Sequence, residues 1–194
     1  MKVSPEEFQK RTLNSNALLV KSEEILEKSK QLEENLLYFD NIGQPLIDEA
    51  SKALDDKMKE IENYMANIRR FNLDFDVASL QRYFMEITQL VYFTNDKLER
   101  VGLLEDMSRI QYRDKYNNAY IEKQGNTEAG KKFSVAQLQA YSDQVALSEN
   151  LLNFIYSRCY KIIKAKVDAG ENMIKCLSKL LSSKMLELQN IGKM

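Results

Sequence analysis

Leu18, Ile25, Leu32 and Phe39 recur every seven residues, and Leu19, Leu26 and Leu36 widen the stripe. A sustained seven-residue apolar period keeps one face of a helix against a neighbour. The pattern predicts a helix over roughly residues 5–40. Its start is marked by Ser4-Pro5-Glu6-Glu7, a Ser cap with Pro at the first helical position and Glu three residues after the cap. In Asn41-Ile-Gly-Gln-Pro45, Gly43 can close a helix and Pro45 can open the next. Ile47, Leu54, Ile61 and Ile68 carry the same period through a second helix, with Met58 and Met65 beside them. That helix is expected over about 45–70.

The segment Phe71-Asn-Leu-Asp-Phe-Asp76 breaks the pattern, and Asp76 is a natural cap for a third helix from Val77. Leu80, Phe84, Ile87, Val91, Leu98 and Val101 fall at helical spacings. Gly102 costs about 1 kcal/mol relative to Ala inside a helix, so the helix either kinks there or runs on to about Lys123. Residues 124–132 hold two of the six glycines and read as a loop. Ser134 with Gln137 forms a second capping box, and Phe133 with Leu138 a hydrophobic staple. From there one helix is expected to about Leu188. Its row Leu138, Val145, Leu152, Cys159 shifts by four after Ile163 to Val167, Ile174, Leu181 and Leu188, a stutter. Such a helix would be about 80 Å long, so it must bend or pair along its length.

The fold class expected is all-α: a long antiparallel helical hairpin with coiled-coil packing over residues 72–194, its loop near 124–133, preceded by an amino-terminal helical hairpin over 1–71. With 6 Gly and 2 Pro in 194 residues, a many-stranded fold or a Gly-rich phosphate loop is not expected.

Charge alters this picture. The total is 28 basic against 29 acidic residues, but residues 21–63 hold 6 basic and 12 acidic, while 151–194 hold 8 basic and 3 acidic. An acidic amino-terminal hairpin and a basic carboxy-terminal helix are hidden in a near-neutral sum. The basic run is Arg158, Lys161, Lys164, Lys166, Lys175, Lys179 and Lys184, and it can neutralise phosphates. It can equally be a solvated face, or a stripe that pairs with the acidic helices. Tyr112, Tyr116 and Tyr120 recur every four residues among Arg109, Arg113 and Lys115. Aromatic rings among cations can stack the bases of a single strand; more commonly they pack with a wet hydroxyl. These residues, with Arg158, Lys161, Lys164, Lys175 and Lys179, are the expected nucleic-acid contacts. Glu23, Glu24, Glu27, Glu33, Glu34, Asp55 and Asp56 are the expected protein-docking face, an acidic surface that can imitate phosphate charge.

Histidine is absent, which removes the commonest general base and metal ligand. Neither Cys159 nor Cys176 has a CxxC neighbour, and on one helix they lie about 26 Å apart, beyond the roughly 7 Å a disulfide spans. Both are expected to pack as small apolar residues. No catalytic residue, metal or cofactor is expected, and no enzyme activity. No apolar stretch reaches about 18 residues, so no membrane partner is expected and the setting is cytoplasmic.

The tyrosine-rich segment Tyr112-Arg-Asp-Lys-Tyr116-Asn-Asn-Ala-Tyr120, the loop near Gly125 and the long helix with Tyr156, Arg158, Tyr160, Lys161, Lys164 and Lys166 resemble small helical phage proteins of the UvsY-type recombination-mediator family. The resemblance covers about residues 95–188, in order and composition, with no residue carried over as an invariant. It implies single-stranded DNA binding, oligomerisation and loading of a recombinase. The added acidic hairpin departs from that pattern. Expected partners are a second copy of the chain, another protein and single-stranded DNA. Two other readings stand beside this one: a phage-type anti-defence inhibitor or adaptor working through its acidic surface, and a structural coiled-coil scaffold.

Overall fold

The computed structural model describes residues 26–125 and 133–191, and every regular element among them is helical. Two compact units are present, residues 1–41 and 42–194. In the first, residues 26–38 form α1, on which Leu26, Leu32 and Leu36 are exposed. The capping box expected at Ser4–Glu7 lies outside the described residues, as do Leu18, Leu19 and Ile25.

The boundary expected at 41–45 lies where Gly43 caps α2 (Gln44–Phe71) and Pro45 opens it. Residues Phe39–Gly43 make a π-helical turn, and α2 follows with Pro45 in its first turn. Proline has no N–H to give the carbonyl four residues back, and a wider turn accommodates that missing bond.

The second unit is built from α2, α3 (Val77–Gly125), α4 (Val135–Val145) and α5 (Leu147–Ile191). Helix α3 runs through Gly102 without a break, about 73 Å at 1.5 Å per residue. Asn72, in the left-handed region at φ 50°, ends α2, and its N–H bonds to the Ile68 carbonyl. Asp76 then caps α3: its carboxylate accepts from the Ser79 N–H at 2.9 Å and the Ser79 hydroxyl at 2.7 Å. The box at Ser134 is complete, with the Gln137 N–H on the Ser134 hydroxyl and the Gln137 carboxamide on the Ser134 N–H.

Cross-helix pairs fix the directions. Val91 meets Gly170, Gly102 meets Tyr160, and Ser108 meets Asn153, so α3 and α5 are antiparallel. Lys57 pairs with Glu86 and Tyr64 packs on Tyr83, so α2 and α3 are antiparallel too. Cys159 lies against the Gly43 carbonyl and Lys166 against Asp55, so α2 and α5 run parallel. The core lies between these three helices: Ile47, Leu54 and Ile61 from α2; Leu80, Ile87 and Leu98 from α3; Cys159, Ile163 and Leu177 from α5. Helix α2 is thus part of one core with α3 and α5.

The single helix expected from Ser134 to Leu188 is interrupted at Ala146 (φ −96°, ψ 13°), which divides α4 from α5. Here the Ser142 hydroxyl donates to the Leu138 carbonyl at 2.9 Å, a back-bond that bends helices, and Ala146 is fully buried at the turn. The i→i−4 backbone bonds continue on both sides, from the Ala146 N–H to the Ser142 carbonyl and from the Asn150 N–H to the Ala146 carbonyl, so the departure is confined to one residue.

Candidate nucleic-acid interface

The buried residues of α5, Ile155, Cys159, Ile163, Val167 and Leu177, define its inner face. At 3.6 residues per turn, Lys161, Lys164, Lys175 and Lys179 fall within about 60° of one another on the opposite side. All four are exposed, as is Arg158 at the flank. The row from Lys161 to Lys179 is about 27 Å long, and Asp168 and Glu171 interrupt it. None of the five cations has an ion-pair partner among the described residues.

The two other lysines of the run are occupied. Lys166 is half-buried and reaches α2, where its ammonium donates to the Ser51 hydroxyl at 2.9 Å and to the Asp55 carboxylate. Lys184 pairs with Glu187 and with Asp74, and both hydrogen bonds raise its pKa above the ordinary lysine value. The basic run therefore divides: Lys166 joins α5 to the acidic stretch through Asp55, Lys184 is held by Asp74 and by Glu187 of its own helix, and the other four lysines are exposed.

The cations on α3 form a second group. Arg109 is exposed and bonded to Asp106, and Arg113 is exposed. Lys115 is exposed beside Glu149, whose carboxyl is held below its usual range mainly by the Ser148 hydroxyl, with Lys115 adding a smaller attraction. Because Ser108 is level with Asn153, this group lies beside the start of α5, short of Lys161 along the axis. The two groups are not brought to one place.

The tyrosines are half-buried. Tyr112 and Tyr116 touch each other with ring centroids 6.1 Å apart, tilted by 54°. Desolvation, and then the charge of Asp143 on α4, raise the Tyr116 pKa. Tyr160 lies over Gly102, where an added Cβ would stand 3.3 Å from the ring. Tyr160 thus serves the α3–α5 seam, and none of these rings is fully exposed. Lys123, for its part, sits over the rings of Phe133 and Tyr141.

Of the acidic residues, Glu27, Glu33 and Glu34 are exposed on α1 and Asp56 is exposed on α2. Asp55 is half-buried on Lys166 and so is committed within the fold. Glu23 and Glu24 lie outside the described residues. Both cysteines are free: Cys159 is buried, with its thiol pKa raised by burial, whereas Cys176 is exposed, against the expectation that both pack. Cys176, five turns on from Arg158, lies at the flank of α5.

Among the described residues no three His, Cys, Asp or Glu side chains are grouped to hold a metal ion. Nor is any described helix long and apolar enough to cross a membrane. The chain matches no family model, no curated protein and no solved structure.

Proposed function

We propose that this chain is a non-catalytic, cytoplasmic binding protein that holds single-stranded DNA along the outer face of α5, in the manner of a phage recombination mediator. The observation that carries the reading is the sorting of the lysines. Lys166 and Lys184 are paired with acidic partners, while Arg158, Lys161, Lys164, Lys175 and Lys179 are exposed with no ion-pair partner among the described residues. A row of about 27 Å spans several nucleotides of an extended strand, and each neutralised phosphate releases counterions.

Titration of a labelled oligonucleotide at a series of salt concentrations tests it. Five phosphate contacts on a single strand give a slope of log K on log salt of about −3.5, hence about 100-fold weaker binding at about 200 mM than at about 50 mM salt. No binding at the low-salt end removes the reading. A second reading, an adaptor that docks another protein, is favoured by the exposed Glu27, Glu33 and Glu34 standing beside exposed Leu26, Leu32 and Leu36 on α1. Charge reversal of those glutamates would then abolish partner capture and leave oligonucleotide binding intact.

A further inference from the structure

Helix α3 has two apolar faces. One is the core face already described. On the other lie Met85, Tyr92, Leu103, Met107, Ile110 and Ile121, each between 57% and 72% exposed. Met85 to Tyr92 and Leu103 to Ile110 are steps of seven, and Met107 to Ile121 is two such steps. The six fall within an arc of about 60°, on the far side from Leu80, Ile87 and Val101, and run about 54 Å along the helix. Phe93 and Leu104 border them and are also exposed.

The amount of surface is decisive. Large apolar side chains present roughly 150–250 Å² each, so these eight leave on the order of 900 Å² in water. The largest apolar patch of a soluble monomer is about 300–600 Å². A stable two-fold interface needs about 800 Å² from each partner.

We infer that the outer face of α3 pairs with the same face of a second copy, antiparallel, about a two-fold axis near Leu103. The seven-residue spacing fits another helix with the same seam, and the seam's own length selects a copy of itself. Direction follows from its two carboxylates. Asp96, 3.7 Å from the Arg100 guanidinium, and Asp114 share this side of α3 and are exposed. A parallel pair would set each against itself, with like charges facing across the seam. An antiparallel pair centred on Leu103 separates them, sets Asp114 level with the hydroxyl-bearing Tyr92 of the other copy, and brings Met85 to Ile121. This inference does not rest on the nucleic-acid reading, because the seam contains none of the five exposed cations of α5.

Sedimentation velocity and light scattering from about 1 µM to about 100 µM measure the mass. The full chain is expected at twice its 22.6 kDa. The variant Leu103→Glu/Ile110→Glu is expected to be a monomer with unchanged helical circular dichroism, since both side chains face water in the single chain. In a Cys176→Ser background, Leu103→Cys is expected to form a covalent dimer on mild oxidation, and Leu186→Cys, exposed on α5, is not. A wild-type monomer throughout this range overturns the inference, and is the result expected if residues 1–41 cover the seam instead. A dimer that survives Leu103→Glu/Ile110→Glu, or one cross-linked equally well through Leu186→Cys, also overturns it.

Discussion

Gly170 stands where α2, α3 and α5 converge. A Cβ added there would lie 2.6 Å from Val91 Cγ2, and 3.2 Å and 3.4 Å from the two Leu54 methyls. Replacing a helix-interior glycine by alanine ordinarily gains about 0.8–1.0 kcal/mol. Here the gain is opposed by overpacking, at about 1–3 kcal/mol, because Val91 is β-branched and has no other good rotamer to retreat to. Gly170→Ala should therefore lose about 1 kcal/mol, a fall in Tm of about 2–4 °C for a chain of this size. Gly102 is the internal control. Its added Cβ meets only the Tyr160 ring at 3.3 Å, and that half-buried ring can shift by a few tenths of an ångström. Gly102→Ala should gain about 0.5 kcal/mol. Urea and thermal unfolding followed by circular dichroism read both variants. Adding Val91→Ala to Gly170→Ala should recover at least about 0.5 kcal/mol relative to the sum of the single changes. A Gly170→Ala protein as stabilised as Gly102→Ala would refute the three-helix convergence.

Two further outcomes follow from the clamps and caps. Asp55→Ala leaves the Lys166 ammonium with Ser51 alone and should cost about 1–2 kcal/mol in urea unfolding, whereas Asp55→Leu/Lys166→Met should be close to neutral; a loss below about 0.5 kcal/mol for the single variant counts against the clamp. Asp76 is held ionised by the Ser79 hydroxyl first and then the Ser79 N–H, so its carboxyl titrates below the ordinary range. Its stabilisation is complete above the ordinary carboxylate pKa of about 4 and fades as pH falls through the lower native value. Asp76→Asn, which still caps, should keep most of the neutral-pH Tm and lose part of the fall in acid; an unchanged acid limb would exclude the cap from it.

Much of the fold could be read from spacing. The row Ile47, Leu54, Ile61 is buried as its period requires, and the caps at Asp76 and Ser134 carry the bonds their side chains allow. These features depend on neighbours in sequence. The one-residue break at Ala146 does not: alanine is the best helix former, and its own propensity gives no sign of the departure there. Likewise the π-turn at Phe39–Gly43 precedes the boundary at Pro45 in a form that local rules do not specify. On α3 the apolar residues have two families at the same spacing, and period alone cannot say which one meets α5. The lysines pose the same difficulty. Lys164 and Lys166 are two residues apart, yet one faces water and the other Asp55, a difference set by the rotation of α5 against α2.

The most direct test is to neutralise the outward row alone. Lys161→Gln/Lys164→Gln/Lys175→Gln/Lys179→Gln removes four of the five exposed cations and disturbs none of the observed ion pairs. Its Tm should match the parent's, and its affinity for a single-stranded oligonucleotide at low salt should fall by more than about 100-fold, with the salt slope dropping from about −3.5 to about −0.7. Parent-like affinity and slope in a folded quadruple variant would contradict the assignment of binding to this face.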